Sequence, residues 1–426
     1  MKKPTRHKLP SGLNIILHPL QELTTVTILI LVKNGADYER KDNNGISHFI
    51  EHLVFKGSKK FPGPTALAVE LDKIGADYNA FTSYEYTGYY IKTFPEYLKR
   101  AIEIVSDIVI NPIFPAAEIE KERKVILEEI NYNEDTPTRL IHDLLIKALY
   151  GNQPAGRPIL GTKQTIKALG RERILNFYKN HYSAKNTTVV VAGHFNLRRT
   201  LHQIEKHFSV FNRKKTLIKP LIHFPTRVSN FSFYKKEVKQ GHLLLAFNLD
   251  GLKALKEKRF PLGILTSVLG YGFSSRMFKL LRDELGVTYY LNVNLNLLTD
   301  RGYLYIQSGC DLSRVEEVMN LIIAETKKLK VEKIDKEELE KAQAVLENHL
   351  LMSTETSDSL AYFWGSAFLT ERELLAPKEI IQKIKKVKSE EIQCLAQSYL
   401  LPARTNLAII LPEKPNFAIK KIFAKI

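Results

Sequence analysis

Five consecutive residues, His48-Phe49-Ile50-Glu51-His52, carry the most pointed chemistry in the chain. On a helix, positions four apart lie on nearly the same face, so His48 and His52 present two imidazoles to one point. Two imidazoles at that spacing can grip a single zinc ion, and Glu51, one residue before the second histidine, projects beside it. A catalytic zinc takes three protein ligands and keeps a fourth position open. Water in that position is acidified toward neutrality, and a neighbouring carboxylate can take its proton. The order H-x-x-E-H inverts the commoner H-E-x-x-H arrangement. Two ordinary histidines on a helix would give the same letters. The flanks weigh against that: Phe49, Ile50, Leu53, Val54 and Phe55 set the helix into a core, and Gly45 and Gly57 bracket it.

The third ligand should be a carboxylate from elsewhere in the chain. Glu122, Glu128 and Glu129 lie on one long helical pattern that begins after Pro115. Glu122 and Glu129, two turns apart, share a face, whereas Glu128 points about a quarter turn away and reads as a solvated or supporting charge.

These residues need elements to hold them. Leu13–Leu17 and Thr25–Val32 are rich in Ile, Val, Leu and Thr and read as strands. A helix runs from about Gly45 to Phe55, with Ser47 or Asn44 as its cap, and a second starts near Pro64 and ends at Gly75. Ala76–Phe81 and Thr87–Thr93 read as paired strands, followed by a helix from Pro95. The helical pattern from Ala116 to Tyr150 should break at Pro137, which removes a backbone donor and clashes with the preceding turn. Helices at Arg171–His181 and Leu197–His207 flank a strand at Asn186–Ala192. The second half replays this layout: a strand at His242–Asn248, helices at Phe260–Leu269 and Ser274–Leu285, strands at Val287–Leu297 and Tyr303–Ser308, helices at Leu312–Lys328 and Lys336–Leu351, and a last strand at Thr405–Leu411. It holds no copy of the metal motif.

With 426 residues, 44% of them hydrophobic, the chain is too long for one ordinary core. The reading is two α+β domains: a metal-binding domain over 1–213, a linker over 214–230 containing Lys214, Lys215, Pro220 and Pro225, and a second domain of similar layout over 231–426. The net charge of +17 would suit nucleic acid or an anionic surface. No concentrated Arg/Lys block accompanies it, so the reading is solvated lysine-rich faces and no nucleic-acid partner. Two cysteines, Cys310 and Cys394, make no disulfide framework and favour a reducing compartment. No signal-type apolar run with a cleavage site follows the basic N-terminus, and Val26–Val32 is far too short to span a bilayer, so a cytoplasmic protein is expected.

The run from Gly45 to Gly57 resembles the metal helix of the pitrilysin and mitochondrial processing peptidase family, the inverzincins. In that family the third ligand is a glutamate seventy-seven positions after the second histidine, within a stretch like Glu-Arg-x-Val-Ile-x-Glu-Glu. Counting from His52 reaches Glu129 in Glu122-Arg123-Lys124-Val125-Ile126-Leu127-Glu128-Glu129, and Glu122 matches an acidic residue that supports the metal helix. Asn79-Ala80-Phe81-Thr82-Ser83-Tyr84-Glu85-Tyr86-Thr87 is similar to the family's exposed edge strand, to which substrate adds as a further strand. Ser274-Ser275-Arg276-Met277-Phe278, followed by Arg282 and Tyr289, resembles the family's C-terminal signature, in which an Arg and a Tyr reach the substrate.

The resemblance covers nearly the whole chain. One departure is Leu269-Gly270-Tyr271-Gly272-Phe273, where many relatives carry more glycines. The resemblance implies two similar α+β domains, each an antiparallel-rich mixed sheet with helices, forming half of a peptidase clamshell. It also implies one zinc ion per chain, hydrolysis of peptides or unfolded segments with Glu51 as general base, and pairing as a homodimer or with a related chain. The alternative it carries is a non-catalytic partner subunit.

Overall fold

The computed structural model describes residues 2–211, 218–222, 230–371 and 373–426. Of the expected linker, 214–217 and 223–229 lie outside the described residues. The strands form two sheets. The first contains β1 (Thr5–Lys8), β2 (Asn14–Pro19), β3 (Val26–Val32), β4 (Asp77–Thr82), β5 (Thr87–Thr93) and β6 (Thr187–Gly193), in the order β1-β2-β6-β3-β5-β4. The second contains β7 (Asn230–Lys235), β8 (Gly241–Asp250), β9 (Thr288–Leu297), β10 (Arg301–Cys310) and β11 (Thr405–Leu411), in the order β7-β11-β8-β10-β9. In each sheet one pair is parallel, β2 with β6 and β7 with β11, and the remaining pairs are antiparallel.

Composition decides which strands are central. β3 (Val-Thr-Ile-Leu-Ile-Leu-Val) and β6 (Thr-Thr-Val-Val-Val-Ala-Gly) are apolar or β-branched almost throughout and buried at every position, as a strand covered on both faces requires. β4 (Asp-Tyr-Asn-Ala-Phe-Thr) is more polar, buried at no position, and sits at an edge.

The described residues form two compact units, one from Met1–Tyr132, Arg157–Leu221 and Met352–Leu374, the other from Asn133–Gly156, Ile222–Leu351 and Leu375–Ile426. This differs from the contiguous domains 1–213 and 231–426, because two stretches change sides. The long helical pattern does break at its proline, into Ala116–Asp135 and Pro137–Tyr150. The helix after the break buries Leu140, Ile141, Leu145 and Leu149, and it packs on β8 and β11 of the second sheet. In return, helix Ser357–Thr370 packs on β3 and β6 of the first. Its Ser357 hydroxyl lies 2.9 Å from that of Thr25 and 2.8 Å from that of Thr27. Gly365 lets this helix approach closely, since a β-carbon there would come within 2.5 Å of Leu31. Pattern along the chain cannot show which sheet an amphipathic helix covers, so the contiguous division missed both exchanges.

Other elements also depart from expectation. The single helix expected over Ser274–Leu285 is a short α-turn, Arg276–Phe278, continued by a wider π-type turn over Lys279–Glu284. The helices Lys163–Ala168, Ser357–Thr370, Pro377–Lys385 and Ser389–Tyr399 and the strands β1 and β7 add to the elements expected from the sequence.

Candidate metal centre

The motif lies on helix Ile46–Val54, between β3 and β4. Ile46, Phe49, Ile50, Leu53 and Val54 on this helix are fully buried, each contributing about 1.5–3 kcal/mol of apolar burial. That face fixes the helix and leaves His48, Glu51 and His52 on the other.

Neither Ser47 nor Asn44 caps the helix. The N-cap is Gly45, at φ +92°, where a β-carbon would also meet the Leu160 carbonyl oxygen at 2.7 Å. The free amides of the first turn are taken instead by Glu39, a buried carboxylate that accepts from Gly45 N–H at 2.7 Å, Ser47 N–H at 2.8 Å and the Asn44 side-chain amide at 2.9 Å. Burial pushes the Glu39 carboxyl up to about 7, and these hydrogen bonds pull the other way. No local cap pattern marks Glu39, since it stands outside the helix and reaches it through the turn between.

On the motif's face of the helix, His48 Nε2 and His52 Nε2 are 3.3 Å apart, and Glu129 Oε2 is 3.7 Å from each. Among the described residues no other trio of His, Cys, Asp or Glu side chains converges in this way. The triangle can be tested against zinc. Ligand distances of about 2.0–2.2 Å at tetrahedral angles put ligand atoms about 3.3–3.6 Å from one another. The edges of 3.3 and 3.7 Å therefore fit zinc with little movement of Glu129, whose side chain is 41% exposed. Burial, with His52 close by, holds His48 down at about 3, so its ring stays in the neutral form that ligates.

Glu122 lies two turns before Glu129 on helix Ala116–Asp135 and does not join the trio. Its Oε2 is 3.1 Å from His52 Nδ1, and its Oε1 is 2.9 Å from Lys56 Nζ. A carboxylate on Nδ1 places the proton there and frees the Nε2 lone pair for a metal. Glu128 is exposed, its carboxylate accepting from the Asn131 side-chain amide at 3.4 Å. Glu51 stands beside the trio, with burial raising its carboxyl above the usual range. It accepts a 2.5 Å hydrogen bond from the Thr82 hydroxyl, a partner that nothing in the motif signals.

Asn79, Ala80 and Phe81 lie on β4, in register with Tyr90, Tyr89 and Gly88 of β5. β4 pairs with β5 alone, so its outer backbone edge is free within the sheet. Arg282 and Tyr289 belong to the second unit. Arg282 donates to the Thr288 carbonyl at 2.6 Å, and Tyr289, the second residue of β9, is 53% exposed. Tyr289 is therefore not a core residue of that unit.

Fold and site define a class: chains of two sheet-and-helix units with a His-His-Glu trio that could hold a metal ion in the first. The family described as insulinase (peptidase family M16) matches residues 15–163, and the description peptidase M16 inactive domain matches 168–346. An uncharacterized zinc protease of Bacillus subtilis is 32% identical over 96% of this chain and 98% of its own length. One from Rickettsia felis is 31% identical over 95% and 97%. A protease structure from Helicobacter pylori superposes with TM-score 0.91 at 22% identity, covering 96% of this chain and 99% of that one. An M16-like peptidase structure from Alicyclobacillus acidocaldarius gives 0.81 at 23%, covering 96% and 98%. The chain belongs to peptidase family M16. Among the described residues, no helix is long and apolar enough to cross a membrane.

Proposed function

We propose that this chain is a zinc metalloendopeptidase that hydrolyses peptides or unfolded segments, with His48, His52 and Glu129 as metal ligands and Glu51 as general base. The observation that carries this reading is the triangle of His48 Nε2, His52 Nε2 and Glu129 Oε2, with edges of 3.3–3.7 Å and a further carboxylate beside it. When bound there, zinc supplies Lewis acidity toward water and the scissile carbonyl.

The chain's own residues do the rest. Glu122 holds His52 in the tautomer and orientation that ligate. Glu51 takes a proton from the attacking water and passes it to the leaving amine, so the hydroxyl goes to the carbonyl carbon as the C–N bond breaks. The open edge of β4 at Asn79, Ala80 and Phe81 takes substrate as an added strand, where main-chain hydrogen bonds give affinity without demanding sequence. Tyr289 donates to the developing oxyanion and Arg282 holds the substrate backbone. The description of the second half as an inactive domain agrees with this division of labour, since the ligands all come from the first unit. The chain works as a homodimer or with a related chain, in the cytoplasm.

Metal analysis combined with cleavage of a quenched mixed-sequence peptide tests the reading. Wild type should hold one zinc ion per chain and cleave, and Glu51→Gln should hold zinc and not cleave. Zinc in both with cleavage in neither would favour the non-catalytic partner subunit. Full activity in Glu51→Gln would remove Glu51 from the mechanism.

A further inference from the structure

We propose that Thr82 is the positioning residue for Glu51, fixing the rotation of its carboxylate from the strand that takes the substrate; this rests on the peptidase reading. Among the described residues Thr82 is the one side chain hydrogen-bonded to Glu51, and its hydroxyl donates to Oε2 at 2.5 Å. Among the described residues no side chain donates to Oε1. The terminal torsion of a glutamate is broad and roughly two-fold, so an unanchored carboxylate spreads its lone pairs over many directions. Anchoring one oxygen leaves the other aimed at a single place, which suits a group that must accept a proton from one water.

The aromatic hydroxyls behind the site do not serve as alternative anchors. Tyr89 and Tyr182 are buried and hydrogen-bonded to each other at 2.7 Å. Thr82 is also the last residue of β4, in register with Thr87 across the ladder to β5. The anchor of the base and the proposed docking residues Asn79, Ala80 and Phe81 therefore belong to one piece of backbone. A displacement of that strand moves the base with it. Thr82 itself touches no reacting atom, and its effect passes through Glu51.

Steady-state kinetics of the zinc-loaded full chain test this with Thr82→Val and Thr82→Ser. Thr82→Val should lower kcat roughly 10–100-fold with KM within about twofold, since small misplacements of a catalytic group cost on that scale. Thr82→Ser, which keeps the hydroxyl, should recover most of the rate. A second readout needs no activity. In metal-free protein, Thr82→Val should lower the unfolding midpoint by several degrees, and it should have little effect in a Glu51→Ala background. A kcat unchanged in Thr82→Val, a loss confined to KM, or equal midpoint shifts in both backgrounds would overturn the proposal. A wild type that cleaves nothing would defeat the peptidase reading instead, and the paired melting experiment would still decide whether Thr82 holds Glu51.

Discussion

Strand for strand, β2-β6-β3-β5-β4 and β7-β11-β8-β10-β9 run in the same relative directions, and each begins with the one parallel pair of its sheet. Between β3 and β4 the first unit places helix Ile46–Val54, which buries one face and offers His48, Glu51 and His52 on the other. Between β8 and β9 the second unit places helix Arg259–Gly270, which contains no His, Asp or Glu and is buried from Phe260 to Leu269 apart from Gly263. The same position in the same layout is thus a helix that presents the His-Glu-His motif in one unit and a core helix in the other. The scaffold does not create the site; three polar residues on one face of one helix and a glutamate on another do.

Chemistry puts this contrast under the greatest strain. Glu51→Gln should reduce turnover about 10²–10⁴-fold, the usual contribution of a positioned general base, with zinc retained. Steady-state kinetics beside metal analysis would check it, and no substitution in helix Arg259–Gly270 should alter zinc content.

Next in size is the start of helix Ile46–Val54. Gly45→Ala forces a side chain into φ +92° against the Leu160 carbonyl and should cost about 2–4 kcal/mol in denaturant unfolding. The exchanged helix gives the third effect. Asp143 on Pro137–Tyr150 accepts from the Asn133 amide at 2.7 Å, and burial raises its carboxyl from 3.8 to about 6. A folded value above the unfolded one favours the fold below about pH 4, and that advantage is lost as the pH rises through about 6. Asp143→Asn keeps an acceptor for Asn133. It should stabilise the protein by about 2–3 kcal/mol at pH 7, at roughly 1.36 kcal/mol per unit, and by almost nothing near pH ~3.5. Unfolding curves at the two pH values would check this. The smallest effect is the counterpart of Gly45. Gly263 sits inside helix Arg259–Gly270, where a β-carbon would make ordinary contact with Leu346 at 3.5 Å. Gly263→Ala should therefore stabilise by about 0.5–1 kcal/mol in the same assay.

Much of this was legible in the sequence because it is local. The spacing of His48 and His52, the break at Pro137 and the apolar β3 and β6 all express short-range rules, and the structure has them where the residues put them. The resemblance brought Glu129 to the same site across a long separation, and the structure places its carboxylate against both imidazoles. What could not be read depends on tertiary contact. Glu39 stands in no motif, and nothing in the edge-strand stretch signals that the Thr82 hydroxyl reaches Glu51; each acts on the helix from a different element. The exchange of Pro137–Tyr150 and Ser357–Thr370 is invisible for a similar reason: an amphipathic stripe shows that a helix must be covered, but not by which sheet.

The proposed centre depends on which carboxylate completes it, and two neighbouring glutamates compete for that place. Zinc content should be measured by atomic absorption on wild type, Glu128→Gln and Glu129→Gln after dialysis against a weak chelator. One zinc ion per chain is expected in wild type and Glu128→Gln, with a large loss in Glu129→Gln. Full zinc retention in Glu129→Gln would contradict the assignment.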